Sequence, residues 1–293
     1  MLTDWLLPIL LFGALALMLI GATRRVLAWR AGRNEPVAVV AGLLAMPRRY
    51  LVDLHHVVQR DRFIANTHVA TAGGFVAALA LALLVHGFGV DSTILNGLIL
   101  LSAAGMFVGA CCVAWRRRNP PGRLSRGPWM RLPKSLQVFS SSLFLITLMT
   151  AEWFPAGLVG WVFSGLLLIG LGLGLTEMLV GMGWGGPMKH AFAGALHLAF
   201  HRRPLRFGGG RSTGLKPLNL TDSTLGVAKP TDFAWNQLLG FDACVQCGRC
   251  EAVCPAFAAG QPLNPKKLIQ DMVVGLSGGT DAGYHGSAYP GKP

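Results

Sequence analysis

Charged residues are scarce in this chain of 293 residues, because only 13% are Asp, Glu, Lys or Arg whereas 52% are hydrophobic. A soluble globular protein of average composition carries about 25% charged residues. So few charges cannot cover the surface of a soluble protein of this length, and we expect part of the surface to face lipid. The composition therefore excludes an ordinary cytosolic enzyme and a disordered basic tail.

Basic residues are missing from three long stretches, 1–23, 63–115 and 135–188, although the chain has 26 Lys and Arg against 13 Asp and Glu. A strong basic excess first suggests nucleic acid as a partner. Binding of a nucleic-acid strand would need aromatic residues interleaved with the basic ones, and neither basic loop shows that pattern clearly. We therefore expect no nucleic-acid partner.

The basic-free stretches contain apolar runs long enough to cross the ~30 Å hydrocarbon core of a bilayer, which takes about 20 helical residues. They predict five membrane spans, at about 5–22, 67–89, 94–115, 135–154 and 157–181. In the fifth span small residues would permit close helix packing; these are Gly165, Gly170, Gly172 and Gly174. We predict an all-α protein whose residues 1–182 form a five-helix transmembrane domain.

The placement of the basic residues predicts the topology. The connections 86–93 and 151–156 are short and contain no Lys or Arg, whereas all 26 basic residues lie in two other loops and in the tail. Under the positive-inside rule the N-terminus lies outside the inner (cytoplasmic) membrane, and the basic loops and the tail lie in the cytoplasm. Asp4, without any basic neighbour, argues against a cleaved signal peptide.

Side chains near the predicted span ends are of the types that contact the lipid bilayer at its interface, which supports the bilayer as a partner. Aromatic rings are expected to anchor at the membrane interface; they are Trp5, Trp115, Trp153, Phe154 and Trp184. Two arginine runs, 24–25 and 116–118, lie where anionic headgroups attract positive charge.

Four cysteines in the tail have the spacing of an iron–sulfur ligand set. Cys244, Cys247, Cys250 and Cys254, followed by Pro255, spell C-x2-C-x2-C-x3-C-P, the spacing by which ferredoxins bind a [4Fe–4S] cluster. Three thiolates on one tight turn can hold three irons of the cube, and Gly248 gives the backbone the freedom to turn. The alternatives are a zinc site, which usually uses two separated pairs, and disulfides, which are rare in a reducing cytoplasm.

The role of the fourth cysteine depends on a second motif. In two-cluster ferredoxins the last Cys of such a run ligates the other cluster. No second run exists here, and Cys111 and Cys112 lie in the third span, where we expect small buried residues. Either Cys254 is the fourth ligand of this cluster, or it serves a second [4Fe–4S] cluster whose motif is supplied by a partner or by chain beyond residue 293. The last residues have no periodic pattern, which favours further chain.

The tail divides into three predicted parts. Residues 183–230 form an amphipathic helix, at 188–203, and a linker. Residues 231–276 form the [4Fe–4S] domain, with Thr231 and Asp232 as the N-cap signal of a helix through Leu239 and with a further helix at 263–276. Residues 277–293 form an unstructured end, which we expect to be truncated.

Residues 233–239 (FAWNQLL), the cysteine run and residues 260–269 (GQPLNPKKLI) resemble the first cluster region of heterodisulfide-reductase-type iron–sulfur proteins. In layout the whole chain resembles the N-terminal portion of the membrane-bound iron–sulfur oxidoreductases encoded with dimethylglycine catabolism genes. The resemblance implies an α-helical ferredoxin-type domain. It also implies electron transfer to membrane quinone from a flavoprotein, either a dimethylglycine-type dehydrogenase or an electron-transfer flavoprotein. In that family a second C-x2-C-x2-C-x3-C-P follows, which this sequence lacks.

Two functions remain open from the sequence. The first is an electron-transfer protein, an oxidoreductase subunit that carries electrons from the flavoprotein to quinone. The second is a membrane anchor whose cluster is structural or redox-sensing, with no quinone chemistry.

Histidines near the cytoplasmic side are candidate haem ligands, because imidazoles on facing helices can bind haem iron. His68 lies in the second span, and His190 and His197 share one face of the helix after the fifth span. This arrangement resembles cytochrome b subunits of the nitrate-reductase-gamma type, so His68 with His190 or His197 could hold a haem b. Alternatively, the helix contacts lipid headgroups through Lys189 and Arg203.

Glu177, near the cytoplasmic side of the fifth span, is a further candidate for a proton or quinone site, since ionisable groups in lipid are functional candidates. The alternative is a carboxylate satisfied by Thr176 or by interfacial water.

Overall fold

The computed structural model describes residues 2–54, 61–90, 92–151, 157–210, 219–221, 225–277 and 283–286. Within these residues the fold is helical, with a single isolated β-bridge between Arg33 and Ala234. The predicted all-α class is confirmed for this part of the chain. The ferredoxin-like character of the tail stays a prediction.

The helices follow one another along the chain. They are α1 (Leu2–Trp29), α2 (Val39–Arg48), α3 (Arg62–Gly87), α4 (Thr93–Arg118), α5 (Leu132–Thr150), α6 (Leu158–Trp184), α7 (Lys189–Phe200), α8 (Trp235–Asp242), α9 (Arg249–Val253), α10 (Pro255–Ala258) and α11 (Pro265–Ser277). The longest connection lies between α7 and α8.

Five of these helices, α1, α3, α4, α5 and α6, are long and apolar enough to cross a membrane, and their number agrees with that of the predicted spans. The helices extend beyond several predicted ends, as far as Trp29 in α1 and Arg118 in α4. The first Lys or Arg marks where the apolar run ends, whereas the helix itself continues. In α1 the additional turns are held by the bonds of Arg25 and Trp29 to Asp242. The predicted end of the fourth span, including Trp153 and Phe154, lies outside the described residues.

The spans pack antiparallel around one apolar core. Helix α4 lies between α3 and α5, α6 packs on α5, and α1 packs on α6. Fully buried side chains from neighbouring spans meet there; among them are Phe139, Ile99, Met106, Leu143 and Leu171. We call the end of the bundle that holds Trp29, Arg62, Arg118, Leu132 and Trp184 the basic end.

Two glycines of α6 allow α5 to approach closely. A Cβ atom on Gly174 would lie 2.6 Å from Cβ of Phe139, and one on Gly170 would lie 2.6 Å from Oγ of Ser142. The predicted packing role is therefore confirmed at these two positions. It is wrong for Gly165, where an added Cβ atom would have nothing within 4 Å.

The tail begins where α6 ends at Trp184, next to Gly185 in the left-handed conformation. The predicted N-cap of the helix before the cysteines is wrong. Asp232 closes a separate short turn, in which its carboxylate accepts the N–H groups of Ala228 and Lys229 at 2.9 Å. Helix α8 starts only at Trp235, and Oε1 of Gln237 accepts the Ala234 N–H at 2.9 Å.

Part of the predicted unstructured end is ordered. Ser277 is the last residue of α11. Residues 283–286 lie against the cysteine segment, where the Tyr284 hydroxyl donates to Oε1 of Glu251 at 3.1 Å. Residues 278–282 and 287–293 lie outside the described residues.

Candidate functional site

The four cysteines follow α8 on a short segment that turns sharply. Two residues in the left-handed region make the turn, Gln246 at φ 48° and Gly248 at φ 69°. A backbone of this kind brings sequence neighbours to one side of the chain. The ligand candidates Cys244 and Cys247 lie before α9, Cys250 lies within it, and Cys254 lies between α9 and α10.

The first three thiols lie close enough to affect one another's ionisation. Burial raises the pKa of the Cys244 thiol, while the N–H of Gln246 and the nearby Lys189 cation lower it. Burial also raises the pKa of the Cys250 thiol, the Glu251 N–H lowers it, and charges on Cys244 and Cys247 raise it again. A positive centre bound here would favour the thiolate forms.

Backbone N–H groups point at two of the sulfurs. The N–H of Gln246 donates to Sγ of Cys244, and the N–H of Phe257 donates to Sγ of Cys254, both at 3.4 Å. Such bonds stabilise thiolates and tune the potential of a bound cluster.

The donor set of the cysteine segment consists of thiols. Among the described residues, no group of three or more His, Cys, Asp or Glu side chains is placed to hold one metal ion. In a [4Fe–4S] cube each cysteine binds a different iron, so the sulfurs surround the cube instead of meeting at one atom. The chemistry of the donor set, thiols on one turn with N–H groups aimed at two of the sulfurs, is the chemistry that an iron–sulfur cluster needs from its ligands.

The loop between α4 and α5 holds the cysteine turn from one side. A guanidinium N–H of Arg123 donates to the carbonyl oxygen of Cys247 at 2.8 Å. The hydroxyl of Ser125 contacts Oε1 of Gln246 at 3.0 Å. The approach is so close that a Cβ atom on Gly248 would lie 1.9 Å from the Arg123 carbonyl oxygen. The basic end of the bundle therefore contacts the turn directly.

A buried cluster of charges joins α1 and α7 to the residue two positions before Cys244. The carboxylate of Asp242 accepts from the guanidinium of Arg25 at 2.6 Å and from the indole N–H of Trp29 at 2.7 Å. The ammonium of Lys189 donates to the Asp242 carbonyl oxygen at 2.9 Å. All three charged side chains are at most 5% exposed, and burial lowers the pKa of Lys189 while Asp242 raises it.

A second buried ion pair supports the other side of the cysteine segment. Nζ of Lys266 lies 3.0 Å from the carboxylate of Glu251, and both side chains are 0% exposed. The other carboxylate oxygen accepts the Asn264 amide at 2.8 Å. The pair ties α9 to α11, so the turn is fixed from three directions.

The charged residues of these contacts were not found from the sequence. The headgroup prediction is wrong for Arg25, because its side chain is buried against Asp242. The headgroup alternative for α7 is likewise wrong for Lys189, which binds Asp242, and Arg203 pairs with Asp53 at 2.7 Å. The sequence did contain one sign of these contacts, the position of Asp242 just before the cysteine motif. An unpaired carboxylate there would repel an anionic cluster, so a cationic partner was to be expected.

The histidines are brought together only in part. His190 lies near His68 and against the Trp129 ring, with 5.9 Å between the ring centroids, and Nδ1 of His190 lies 2.5 Å from the Pro187 oxygen. Burial lowers the pKa of His190 to about 4, the Pro187 contact raises it, and a charge on His68 lowers it. His197 instead stacks on His201, at 3.8 Å between centroids. The haem site stays a prediction.

Glu177 has a partner that differs from the expected ones. Nε of Arg131 donates to its carboxylate at 2.8 Å, whereas Thr176 donates its hydroxyl to the Gly172 carbonyl oxygen. At the opposite end of the bundle, Nε2 of His86 lies 3.5 Å from the Thr147 hydroxyl.

Comparisons with known proteins give one family and several relatives. Residues 4–223 match the family model described as "Domain of unknown function (DUF3483)". The chain is similar to a "Probable membrane-anchored ferredoxin" of Chromohalobacter salexigens, with 66% identity over 297 residues that cover 99% of this chain and 44% of the relative.

Two relatives match over shorter stretches. An "EtfAB:quinone oxidoreductase" of Syntrophomonas wolfei is 50% identical over 54 residues, which are 18% of this chain and 8% of the relative. A "Probable iron-sulfur-binding oxidoreductase FadF" of Bacillus subtilis is 39% identical over 84 residues, which are 27% of this chain and 11% of the relative. The chain thus spans less than half the length of these relatives. No solved structure matches it.

Proposed function

This chain belongs to the family described as a domain of unknown function (DUF3483), and from that premise we propose that it is the membrane-bound electron-transfer part of an iron–sulfur oxidoreductase. It receives electrons from a reduced cytosolic flavoprotein and passes them to membrane quinone. The names of the three relatives, a membrane-anchored ferredoxin among them, support this class of activity.

One observation carries the proposal: the cysteine turn lies directly against the basic end of a bundle with five candidate membrane spans. Arg123 holds the carbonyl of Cys247, and Arg25 and Trp29 of α1 hold the carboxylate of Asp242. A soluble carrier has no need for such attachment. A cluster that must exchange electrons with a molecule dissolved in the bilayer does, because electron transfer requires short, fixed distances.

In this proposal Cys244, Cys247, Cys250 and Cys254 hold a [4Fe–4S] cluster. When bound, the cluster supplies one-electron transfer. The chain's own residues orient the thiolates, donate N–H groups to sulfur and bury the turn. Two buried cations, Arg25 and Lys189, face the single carboxylate of Asp242, so a net positive charge lies near the cysteines. This charge favours the reduced state of the cluster, which is the more negative one.

The donor is proposed from charge and from a relative's name. With the basic end in the cytoplasm and the N-terminus outside the inner membrane, the chain presents a positive surface to the cytosol. Such a surface suits an acidic flavoprotein. The name "EtfAB:quinone oxidoreductase" favours an electron-transfer flavoprotein, while a dimethylglycine-type dehydrogenase is the donor implied by the gene context of the resembling family.

Two further cofactor predictions belong to this proposal. A second [4Fe–4S] cluster would lie in chain outside this sequence. A haem b between His68 and His190 would show an alpha band in a dithionite-minus-oxidised spectrum of the purified protein, and a spectrum without that band would end the haem prediction.

The test uses the whole chain in phospholipid nanodiscs. Its cluster is reduced with electron-transfer flavoprotein or dithionite, excess reductant is removed, and decylubiquinone or menadione is added. We expect the reduced-cluster signal in electron paramagnetic resonance to disappear after quinone addition. A cluster that stays reduced would refute quinone reduction and favour a structural or redox-sensing cluster.

A matched pair of variants tests the ligands. Cys247→Ser should remove the cluster signal, whereas Cys111→Ser should retain it, because Cys111 lies in α4 and contacts Gln137. Retention of the full signal in Cys247→Ser would refute the ligand assignment.

A further inference from the structure

A groove lies at the basic end of the bundle, between the last turn of α1, helix α7 and the start of α8. It is open at its rim and has a volume of about 460 Å³. Its lining includes Val26, Trp29, Arg30, Leu196, Phe200 and Trp235. We call it the Trp29 groove. Its volume lies in the range of small-molecule sites, which is about 300–1,000 Å³.

One side of the Trp29 groove borders the region of the membrane and the other borders the cysteine segment. Val26 lies near the end of the candidate span α1, just after Arg24 and Arg25, and is 37% exposed, so it places this side of the groove at the membrane interface. Trp29 forms the floor at 3% exposure, and its indole N–H donates to Oδ2 of Asp242 at 2.7 Å. Asp242 precedes Cys244 by two residues. The groove is therefore connected to the first candidate ligand by one hydrogen bond and a short stretch of chain.

The walls offer flat aromatic surfaces together with unused donors. Phe200 and Trp235 meet edge to face, at 5.5 Å between ring centroids. The side chains of Arg30 and Asn34 are exposed at the rim, and among the described residues neither has a hydrogen-bond partner. A guanidinium and an amide beside aromatic walls suit a flat apolar ring that carries carbonyl oxygens.

We propose that the Trp29 groove binds the head group of a quinone, with Arg30 and Asn34 donating to its carbonyl oxygens and the isoprenoid tail leaving past Val26 into lipid. This inference rests on the proposed function, since it names where the electrons leave the chain. The reduced flavoprotein would supply two electrons, and a cluster held by the four cysteines would pass them on one at a time. The quinone takes up these two electrons and two protons from water at the rim, and leaves as quinol.

The shape of the groove depends on a glycine. A Cβ atom on Gly32 would lie 2.8 Å from the Phe233 carbonyl oxygen and 2.9 Å from the Trp235 N–H nitrogen. The loop after α1 therefore packs directly on the start of α8. The Arg33 N–H donates to the Phe233 carbonyl oxygen at 2.8 Å, and the Trp235 N–H donates to the Arg33 carbonyl oxygen at 3.1 Å. This packing fixes the distance between the aromatic walls.

The experiment measures quinone binding directly, in the whole chain in phosphatidylcholine nanodiscs. Decylubiquinone is titrated, and quenching of tryptophan fluorescence gives the dissociation constant. We expect Arg30→Gln to raise this constant about tenfold, because a hydrogen bond from a charged donor is lost. The matched control is Arg118→Gln, an exposed arginine at the same end of the bundle, which should leave the constant unchanged.

A photoreactive azidoquinone, used on the unaltered chain, gives a second measurement that needs no variant. We expect cross-links within residues 26–34 or 196–200. Cross-links confined to other residues would overturn the groove as the quinone site, even where quinone reoxidises the cluster and the proposed function stands. Cross-links in the groove together with a cluster that stays reduced would support this inference and refute the proposed function.

Lipid headgroups provide the remaining comparison. Nanodiscs with added phosphatidylglycerol should bind decylubiquinone with the same dissociation constant. Loss of quinone binding in these nanodiscs would identify the groove as an anionic-lipid site and overturn the quinone assignment.

Discussion

Arg25, near the end of the first membrane helix, and Asp242, at the end of the helix that leads into the cysteines, form a buried ion pair at 2.6 Å although 217 residues separate them. Because Lys189 also contacts Asp242, one carboxylate neutralises part of two buried positive charges. The contact joins three segments: the first span, the helix after the last span and the cysteine segment.

Asp242→Asn should release the cysteine segment from the bundle. Removing one partner of a buried ion pair leaves uncompensated charge and costs about 3–5 kcal/mol. We expect faster hydrogen–deuterium exchange in α8 and at the end of α1, measured by mass spectrometry. The control Asp271→Asn removes a carboxylate that is 53% exposed and paired with Lys267, and it should leave exchange in α8 unchanged. Equal exchange in the two variants would contradict the docking role of Asp242.

Gly248→Ala should prevent assembly of the cysteine site. The new Cβ would lie 1.9 Å from the Arg123 carbonyl oxygen, and the residue also has a positive φ of 69°. We expect a severalfold loss of iron per chain. Gly260→Ala separates the two effects, because Gly260 has a φ of 76° but nothing within 4 Å of the added Cβ. If both variants lost iron equally, backbone strain would be the cause and contact with Arg123 would not matter.

The pair of Glu251 and Lys266 should show strong coupling in a double-mutant cycle. Lys266→Met leaves a carboxylate that is 0% exposed without its cation, so we expect a loss of about 3–5 kcal/mol. Adding Glu251→Gln to that variant should restore much of the stability, because the buried charge is then gone.

The measurement for this pair is denaturant-induced loss of the cluster absorbance. Lys267→Met serves as the control, since the pair of Lys267 with Asp271 is more than half exposed and should change stability by less than about 0.5 kcal/mol. Additive effects of the two changes at Glu251 and Lys266 would show that the ion pair has no energetic coupling.

The contact of Asp53 with Arg203 should weaken in acid. The two guanidinium N–H bonds of 2.7 Å hold the pKa of Asp53 below its usual range. Because the folded form has the lower pKa, its stabilising effect is complete above about pH 4 and is lost as the pH falls through the folded pKa.

Hydrogen exchange at residues 49–54 measures whether the contact of Asp53 with Arg203 is formed. Protection should fall on acidification below about pH 4 in the unaltered chain, and it should be low at every pH in Asp53→Asn. A pH dependence that persists in Asp53→Asn would assign the effect to another group.

The five long apolar helices were predictable because the hydrocarbon core demands about 20 apolar residues, and basic residues avoid it. The helix ends were less predictable, as α1 shows. Its helix continues past the first arginines to Trp29, since tertiary contacts with Asp242 stabilise the additional turns. The start of α8 was predicted too early for a similar reason. Asp232 has the residue type of an N-cap, but its carboxylate closes the short turn before the helix, and the side chain of Gln237 caps α8 instead.

The sequence by itself determined the class of this protein, an apolar bundle with its basic residues near one end, and it determined the cysteine spacing. Both follow from local rules, the thickness of a bilayer and the geometry of a tight turn. Only the tertiary structure decided that Arg123 and Arg25 hold the cysteine segment against that end, and that the Trp29 groove opens beside it. Those contacts join residues more than 100 positions apart. Pairs so distant in sequence produce no periodic pattern or fixed spacing from which they could be predicted.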